Sequence, residues 1–381
     1  MTRRIAVFSA TRADLWPLTP LLRAMVADDR VTPTLLATGS HLSSAYGSTL
    51  REIGQWIDVV PIDARLTADD SPVGLLAAAR REAEGVAGVL DATRPDLLVL
   101  LGDRYELLGV AQAALLLRVP IVHLHGGDVT EGAFDDSIRH AITKLASLHC
   151  CATELAACRV RSMGEEPWRI HVTGAPALDG LAARAAATPP SVWQEAIGGP
   201  PRHPFGVLTF HPPTIAPDRS LAELDAVLAA SARLATVVAT LPGADPGARA
   251  VIERLHEFAP SHPDFRIVAS LGASYAPTVA HADVVIGNSS SGIVEVPTFG
   301  VPVVNVGDRQ EGRERPAAVL DARTPDRVDA ALTRALDPAF RARLEGRPNP
   351  YGDGHASERI VAVLAETTLS GLLAKRFAEV H

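Results

Sequence analysis

The chain has 381 residues, 47% hydrophobic and 21% charged, with a formal net charge of −8. That length exceeds one ordinary core and suits two domains of about 150 to 200 residues each. Mild acidity without basic arms argues against nonspecific nucleic-acid binding, and no apolar stretch approaches the roughly 18 residues needed to span a bilayer.

RIAVFSA, near the amino end, reads as a buried first strand closed by Thr11, Arg12 and Asp14. Its apolar run of about six residues is short for a secretory leader, so the cytoplasm is the expected location. Further runs follow at TPTLLATG, DLLVLLGD, PIVHLHGG, LHCCAT and RIHVTG, separated by helix-length segments such as ELLGVAQAALLLR at 106 to 118. Nearly continuous apolar strands imply burial on both faces, which is the signature of a parallel sheet between helices. Reactive residues are then expected just past strand C-termini. Cys150, Cys151 and Cys158 read as small thiols in a reduced compartment rather than as a metal set.

The Pro- and Gly-rich stretch 188–204 interrupts the alternation and reads as a linker. A second strand series begins at 205 with FGVLTFHP, ATVVATLP, FRIVAS, DVVIGNSS and PVVNVGD. The expected organisation is therefore an α/β chain with a doubly wound domain at 1–187, a second at 205–355, and a cleft between them. Residues 356–380 read as one amphipathic helix, with a break near Ser370 and Gly371.

The densest chemistry lies between 123 and 153. His123 and His125 alternate at a strand end, Gly126 and Gly127 allow a sharp turn, and Asp128, Glu131, Asp135 and Asp136 follow. Carboxylates this close raise one another's pKa, which suits acid and base chemistry. Asp135 and Asp136 open a helix whose next turn carries Arg139 and His140. Asp103 sits past strand DLLVLLGD, either as a functional acid or as the cap of a helix beginning at Glu106. An HxH pair on one strand face is also compatible with a metal, given a further ligand such as Asp128 or Asp103.

In the second series, DVVIGN runs into Asn288, Ser289, Ser290, Ser291 and Gly292. Small residues there let backbone N–H groups and hydroxyls approach an anion, and Glu295 suits ribose hydroxyls. Arg309, Arg313 and Arg315 lie past the next strand, ready for phosphate or for acids. Thr11 and Arg12 form a second candidate anion contact, and His211 follows FGVLTF. No GxGxxG fingerprint occurs, so nothing supports a nicotinamide cofactor.

SATRADLWPL, GDRYELLGVAQAALLLRVPIVHLHGGDVTEGAFDDSIRHAITKL, GNSSSGIVEVPTFGVPVVNVGDRQEGR and NPYGDGHAS resemble, in order and spacing, the hydrolysing UDP-N-acetylglucosamine 2-epimerases, from residue 9 to residue 357. The resemblance implies a GT-B fold of two Rossmann-like domains facing a cleft, with the C-terminal helix of 356–381 returning to the first. It implies neither metal nor nicotinamide, a UDP-sugar substrate with UDP as a product, and a homodimer or homotetramer. It also implies loss of the C2 proton while UDP departs, water addition at C1, and reprotonation at C2 to give a free 2-epimerised sugar such as N-acetylmannosamine. Carried over by motif, Asp103 and Asp135 become the expected proton-transfer groups, His125 a proton shuttle or sugar contact, Asp128 a supporting group or acid, and Glu131 a further member. Arg12, His211, Ser290, Ser291 and Arg313 become the expected phosphate contacts.

His125 stands where related enzymes carry glutamate, and Asp128 where many hydrolysing members have it. VTEGAFDDSIRH and GEEPWRIHVTGAPALD are closer to the branch that handles 2,4-diacetamido-2,4,6-trideoxyhexoses for legionaminic acid. A non-hydrolysing epimerase, a GT-B glycosyltransferase and an inactive nucleotide-sugar binding module share the architecture. The carboxylates disfavour the last two, because neither transfer to an acceptor nor binding requires moving a C2 proton.

Overall fold

The computed structural model describes residues 2–42, 53–64, 71–213, 215, 217–243 and 247–379, without the side chains of residues 12, 13, 40 and 217. The chain divides into two compact units. The first comprises Met1–Asp128, Asp135–Asp179 and Tyr351–His381; the second comprises Val129–Phe134 and Gly180–Pro350.

The first unit is built on β1 (Arg3–Ser9), β2 (Val31–Ala37), β3 (Asp58–Pro61), β4 (Leu97–Leu101), β5 (Ile121–Leu124), β6 (Leu148–Cys151) and β7 (Ile170–Val172). They form one sheet in the order β3-β2-β1-β4-β5-β6-β7, parallel throughout. Helices α1 (Arg12–Val26), α2 (Pro72–Thr93), α3 (Tyr105–Leu116), α4 (Asp135–Leu145) and α5 (Glu154–Ser162) follow strands in the manner of a doubly wound fold. Both faces of the sheet are buried, one in a cluster around Val7, Leu22, Val99 and Leu124, the other around Phe8, Leu98, Leu100 and Val110. The strand order reverses between β1 and β4, so residues just past their C-terminal ends flank a topological switch point.

The second unit repeats the plan. Its strands are β8 (Phe205–Thr209), β9 (Thr236–Thr240), β10 (Phe265–Val268), β11 (Val284–Gly287), β12 (Val303–Val306) and β13 (Val319–Ala322), in the parallel order β10-β9-β8-β11-β12-β13. The reversal falls between β8 and β11, at His211 and Asn288. Gly287, at φ 143°, is required there, because a Cβ would stand 1.9 Å from the Thr209 carbonyl oxygen.

Two expectations of organisation differ from what is observed. Stretch 188–204 was expected as a linker, but residues from 180 onward are part of the second unit. Helices α6 (Leu181–Ala187) and α7 (Pro190–Ala196) occupy it, and Trp193 and Ile197 are buried in a cluster with Phe205 and Val207. Pro190 opens α7 at a position where a missing N–H costs nothing, so a helix-start signal resembled a linker. The carboxyl-terminal helix runs only over Ala356–Glu366 and ends where Thr367 turns extended; it packs on α1 within the first unit. Edge strands β3 and β13 had no sequence expectation.

Candidate active site

Asp103 lies past the end of β4. Helix α3 begins at Tyr105 with Arg104 at its cap position, so Asp103 does not cap it. Its carboxylate pairs instead with the guanidinium of Arg139, which is 1% exposed. Arg139 also donates to Asp136 Oδ1 at 2.9 Å and to the Asp128 carbonyl at 2.9 Å. One buried cation thus gathers the end of β4, the turn after β5 and the first turns of α4. A buried guanidinium is tolerated only when paired and hydrogen-bonded in this way, and its planar fork suits several oxygens at once.

His125 and Asp128 form the second part. His125 follows β5 with φ 62°, in the left-handed region, and its Nδ1 lies 3.1 Å from Asp128 Oδ2. Both side chains are mostly buried, at 15% and 4% exposure. His123 does different work. It is fully buried, and burial pushes its pKa down to about 3, so it is neutral. Its Nε2 is 2.8 Å from the Gly102 carbonyl and its Nδ1 is 3.2 Å from Thr143 Oγ1 of α4. That pin holds the turn carrying Asp103 against the helix carrying Arg139. Gly126 makes it possible, since a Cβ would come within 3.0 Å of His123 Nδ1 and 3.1 Å of Thr143 Oγ1. The two imidazoles of HxH therefore have separate partners.

Asp135 opens α4, half-buried, one residue before Asp136. Glu131 does not join these acids. It belongs to the second unit, where its backbone N–H donates to the Glu311 carbonyl at 3.0 Å. Arg12 opens α1, but its side chain lies outside the described part of the structure. The preceding turn is tied down by Asp14, whose Oδ2 accepts from the Ala10 N–H at 2.8 Å and the Ser9 hydroxyl at 2.9 Å.

In the second unit, Asn288 is the fixed point. It is fully buried, its Oδ1 accepts the His211 N–H at 2.7 Å, and its Nδ2 donates to the His211 carbonyl at 2.7 Å. This reciprocal pair joins the chain leaving β8 to the chain leaving β11. The Asn288 carbonyl accepts from Arg309 at 3.0 Å and Gln310 at 3.1 Å, and Arg313 Nε donates to Gln310 Oε1 at 2.8 Å. Ser289 caps helix α8 (Ser290–Val294), accepting from the Ser291 N–H, and its hydroxyl is 3.0 Å from Ser291 Oγ. Gly292 is buried within that short helix and Glu295 closes it, half-buried. Small polar groups and arginines thus meet at the switch point of this sheet, an arrangement that can receive an anion.

Sequence reasoning named Arg139 only as a neighbour of the acids; its part as their common counter-ion comes from three-dimensional placement. The legible signal was the Asp136, Arg139 spacing of three on a helix.

The family model for UDP-N-acetylglucosamine 2-epimerase matches residues 23–365. The chain is 34% identical over 370 residues to the UDP-N,N'-diacetylbacillosamine 2-epimerase (hydrolyzing) of Legionella pneumophila, spanning 96% of each chain. It is 31% identical over 382 residues to the GDP/UDP-N,N'-diacetylbacillosamine 2-epimerase (hydrolyzing) of Campylobacter jejuni, spanning 99% of each. In fold it is like the UDP-GlcNAc 2-epimerase of Neisseria meningitidis bound to UDP-GlcNAc, with a TM-score of 0.81 at 17% identity over 96% of this chain and 100% of that one. With two parallel-sheet α/β units of the GT-B type, the chain belongs to the UDP-N-acetylglucosamine 2-epimerase family.

Proposed function

We propose that the protein is a hydrolysing 2-epimerase of a UDP-linked 2,4-diacetamido-2,4,6-trideoxyhexose, releasing UDP and the free sugar inverted at C2. The observation that carries this reading is the set of acids and imidazole past β4 and β5, organised by Arg139, in a chain 34% identical over nearly its whole length to a diacetylbacillosamine 2-epimerase. A C2 proton is poorly acidic, so departure of UDP from C1 runs ahead of its removal, and stabilising the leaving diphosphate is a large contribution. A glycal-like intermediate results; water adds at C1, and a proton returns to C2 on the opposite face.

We assign the two proton transfers at C2 to Asp103 and Asp135. Arg139 orients Asp103 through their ion pair. With Asp128 accepting from an Nδ1–H tautomer, His125 presents a basic Nε2, suited to moving a proton to or from the incoming water. Asp128 fixes that tautomer. For the diphosphate we assign Arg12 of the first unit and, in the second unit, His211, Ser289, Ser290, Ser291, Gly292 and Arg313 about the Asn288 anchor, and for the ribose Glu295.

UDP-N-acetylglucosamine is the second reading, favoured by the family description itself. Both are tested by incubating the protein in deuterated water, without acceptor, with each UDP-sugar in turn. Free 2-epimerised sugar carrying deuterium at C2, formed faster from the diacetamido substrate, is the expected outcome. A nucleotide-linked epimer rules out hydrolysis, and preference for UDP-N-acetylglucosamine transfers the assignment to the second reading.

A further inference from the structure

Helix α4 carries Asp135, Asp136 and Arg139 on its first turns and buries only a narrow stripe. Of its eleven residues Arg139, Ile142 and Thr143 are buried, Ser137 and Lys144 are exposed and the other six are half-buried. Such a helix, about 16 Å long, depends on what holds its ends.

Its far end is held by the chain's own carboxyl-terminal segment, residues 369–379, which sequence reading had as helix. Lys375 reaches in and spends all three ammonium donors there. Nζ lies 2.8 Å from the Lys144 carbonyl, 2.8 Å from the Ala146 carbonyl and 2.7 Å from Glu165 Oε2. The first two belong to carbonyls at the C-terminal end of α4, where a cation is favoured by the helix dipole and by orphan acceptors. Glu165 is fully buried; burial pushes its pKa up, but hydrogen bonds from His149, Lys144 and Lys375 prevail and hold it at about 2. Arg169 fastens the same segment from the other side, donating to the Ser147 carbonyl at 2.9 Å and the Leu372 carbonyl at 2.7 Å. The Phe377 ring fills the space beside Gly164 and faces the Lys144 ammonium at 5.4 Å.

We propose that residues 369–379 are a positioning strap for the acid-bearing helix, with Lys375 as the positioning residue that caps α4 and thereby fixes Asp135, Asp136 and Arg139. No other described element supplies a side-chain cation to both the Lys144 and Ala146 carbonyls. A helix is stiff along its axis, so release of one end lets the other slide by a fraction of a turn. Proton-transfer groups tolerate displacements of only about 0.5 Å. The effect on turnover rests on the function proposed above; the effect on the helix does not.

The test compares the full-length protein with Lys375→Met and Lys375→Arg by amide hydrogen exchange and by steady-state turnover of the UDP-sugar. Lys375→Met is expected to accelerate exchange at least about tenfold across residues 139–147. It should also lower kcat at least about tenfold with KM within about twofold, while Lys375→Arg restores both to within about threefold. Unchanged exchange in Lys375→Met overturns the strap. Accelerated exchange with unchanged kcat makes it a structural tie only and overturns its positioning role. If Lys375→Met does not fold, Lys375→Gln, which keeps a donor and loses the charge, gives the same two readouts in the intact chain; wild-type exchange across residues 139–147 in that variant rejects the proposal. Should the wild-type protein turn over no UDP-sugar, the functional reading fails by itself, and exchange across residues 139–147 still decides the strap.

Discussion

His125 holds a left-handed backbone, φ 62°, while its Nδ1 faces Asp128 Oδ2 at 3.1 Å. A side chain other than glycine in that region costs about 1 to 3 kcal/mol, and such strain persists where the surroundings dictate it. His125→Gly relieves that strain but strips the buried Asp128 carboxylate of its imidazole, so stability to denaturant is expected to stay within about 1 kcal/mol of wild type. The substitution should also cut turnover at least about a hundredfold by removing the imidazole. A variant that shifts stability by more than this and keeps activity contradicts both halves. Asp128→Asn, which preserves shape but removes the charge that fixes the imidazole, should depress kcat with KM little altered.

Asp103 and Asp136 share Arg139. Asp103→Asn and Asp135→Asn should each lower turnover at least about a hundredfold with UDP affinity by calorimetry nearly unchanged. Retained activity in either variant removes that residue from the mechanism. Arg139→Met leaves partly buried carboxylates without their cation and should destabilise the protein by about 3 to 5 kcal/mol in denaturant titration. Arg139→Lys keeps the charge but loses the fork, so it should fold and still lose at least about tenfold in kcat.

Continuous apolar runs such as LLVLL and VVIG were legible as central strands because they are buried on both faces. Edge strands β3 and β13, with half-exposed DVVP and VLDA, carry no such run and were missed. Asp128, Glu131, Asp135 and Asp136 read as one cluster because they are close in sequence. The backbone peels 129–134 away to the second unit, where a Cβ on Gly132 would meet the Asp308 carbonyl at 2.3 Å. Residue types and strand ends thus singled out the acids as candidates, while the cation paired with Asp103 is separated from it by two elements of secondary structure and is visible only after folding.

Asn288, fully buried, makes a two-bond amide clasp on the His211 backbone. Asn288→Ala leaves both backbone groups wanting a partner, at about 1 to 3 kcal/mol each. It also frees the turn proposed to hold the diphosphate. UDP affinity should fall at least about tenfold, measured by calorimetry with UDP alone, so the outcome does not depend on turnover. Ser291→Ala should weaken UDP less, because the backbone N–H groups remain. Undiminished UDP binding in Asn288→Ala moves the nucleotide site elsewhere.

Glu82, on α2, is 1% exposed, with the Thr38 hydroxyl 3.3 Å from Oε1 and no partner for Oε2 among the described residues. Burial, seconded by the Glu106 charge, pushes its pKa up to about 8 from 4.5, so the folded chain keeps it protonated at neutral pH. Unfolded, it ionises near its ordinary value. Between these values the folded state binds the extra proton, so Glu82 contributes stability that is complete below about 4.5 and is lost as pH rises through about 8. Glu82→Gln removes this dependence while keeping a group that Thr38 can bond. The variant should match wild type near pH 4.5 and exceed it by on the order of 4 kcal/mol above pH 8, read from denaturant titrations across the range. Parallel pH profiles for the two proteins would show that Glu82 ionises in the fold as it does in water.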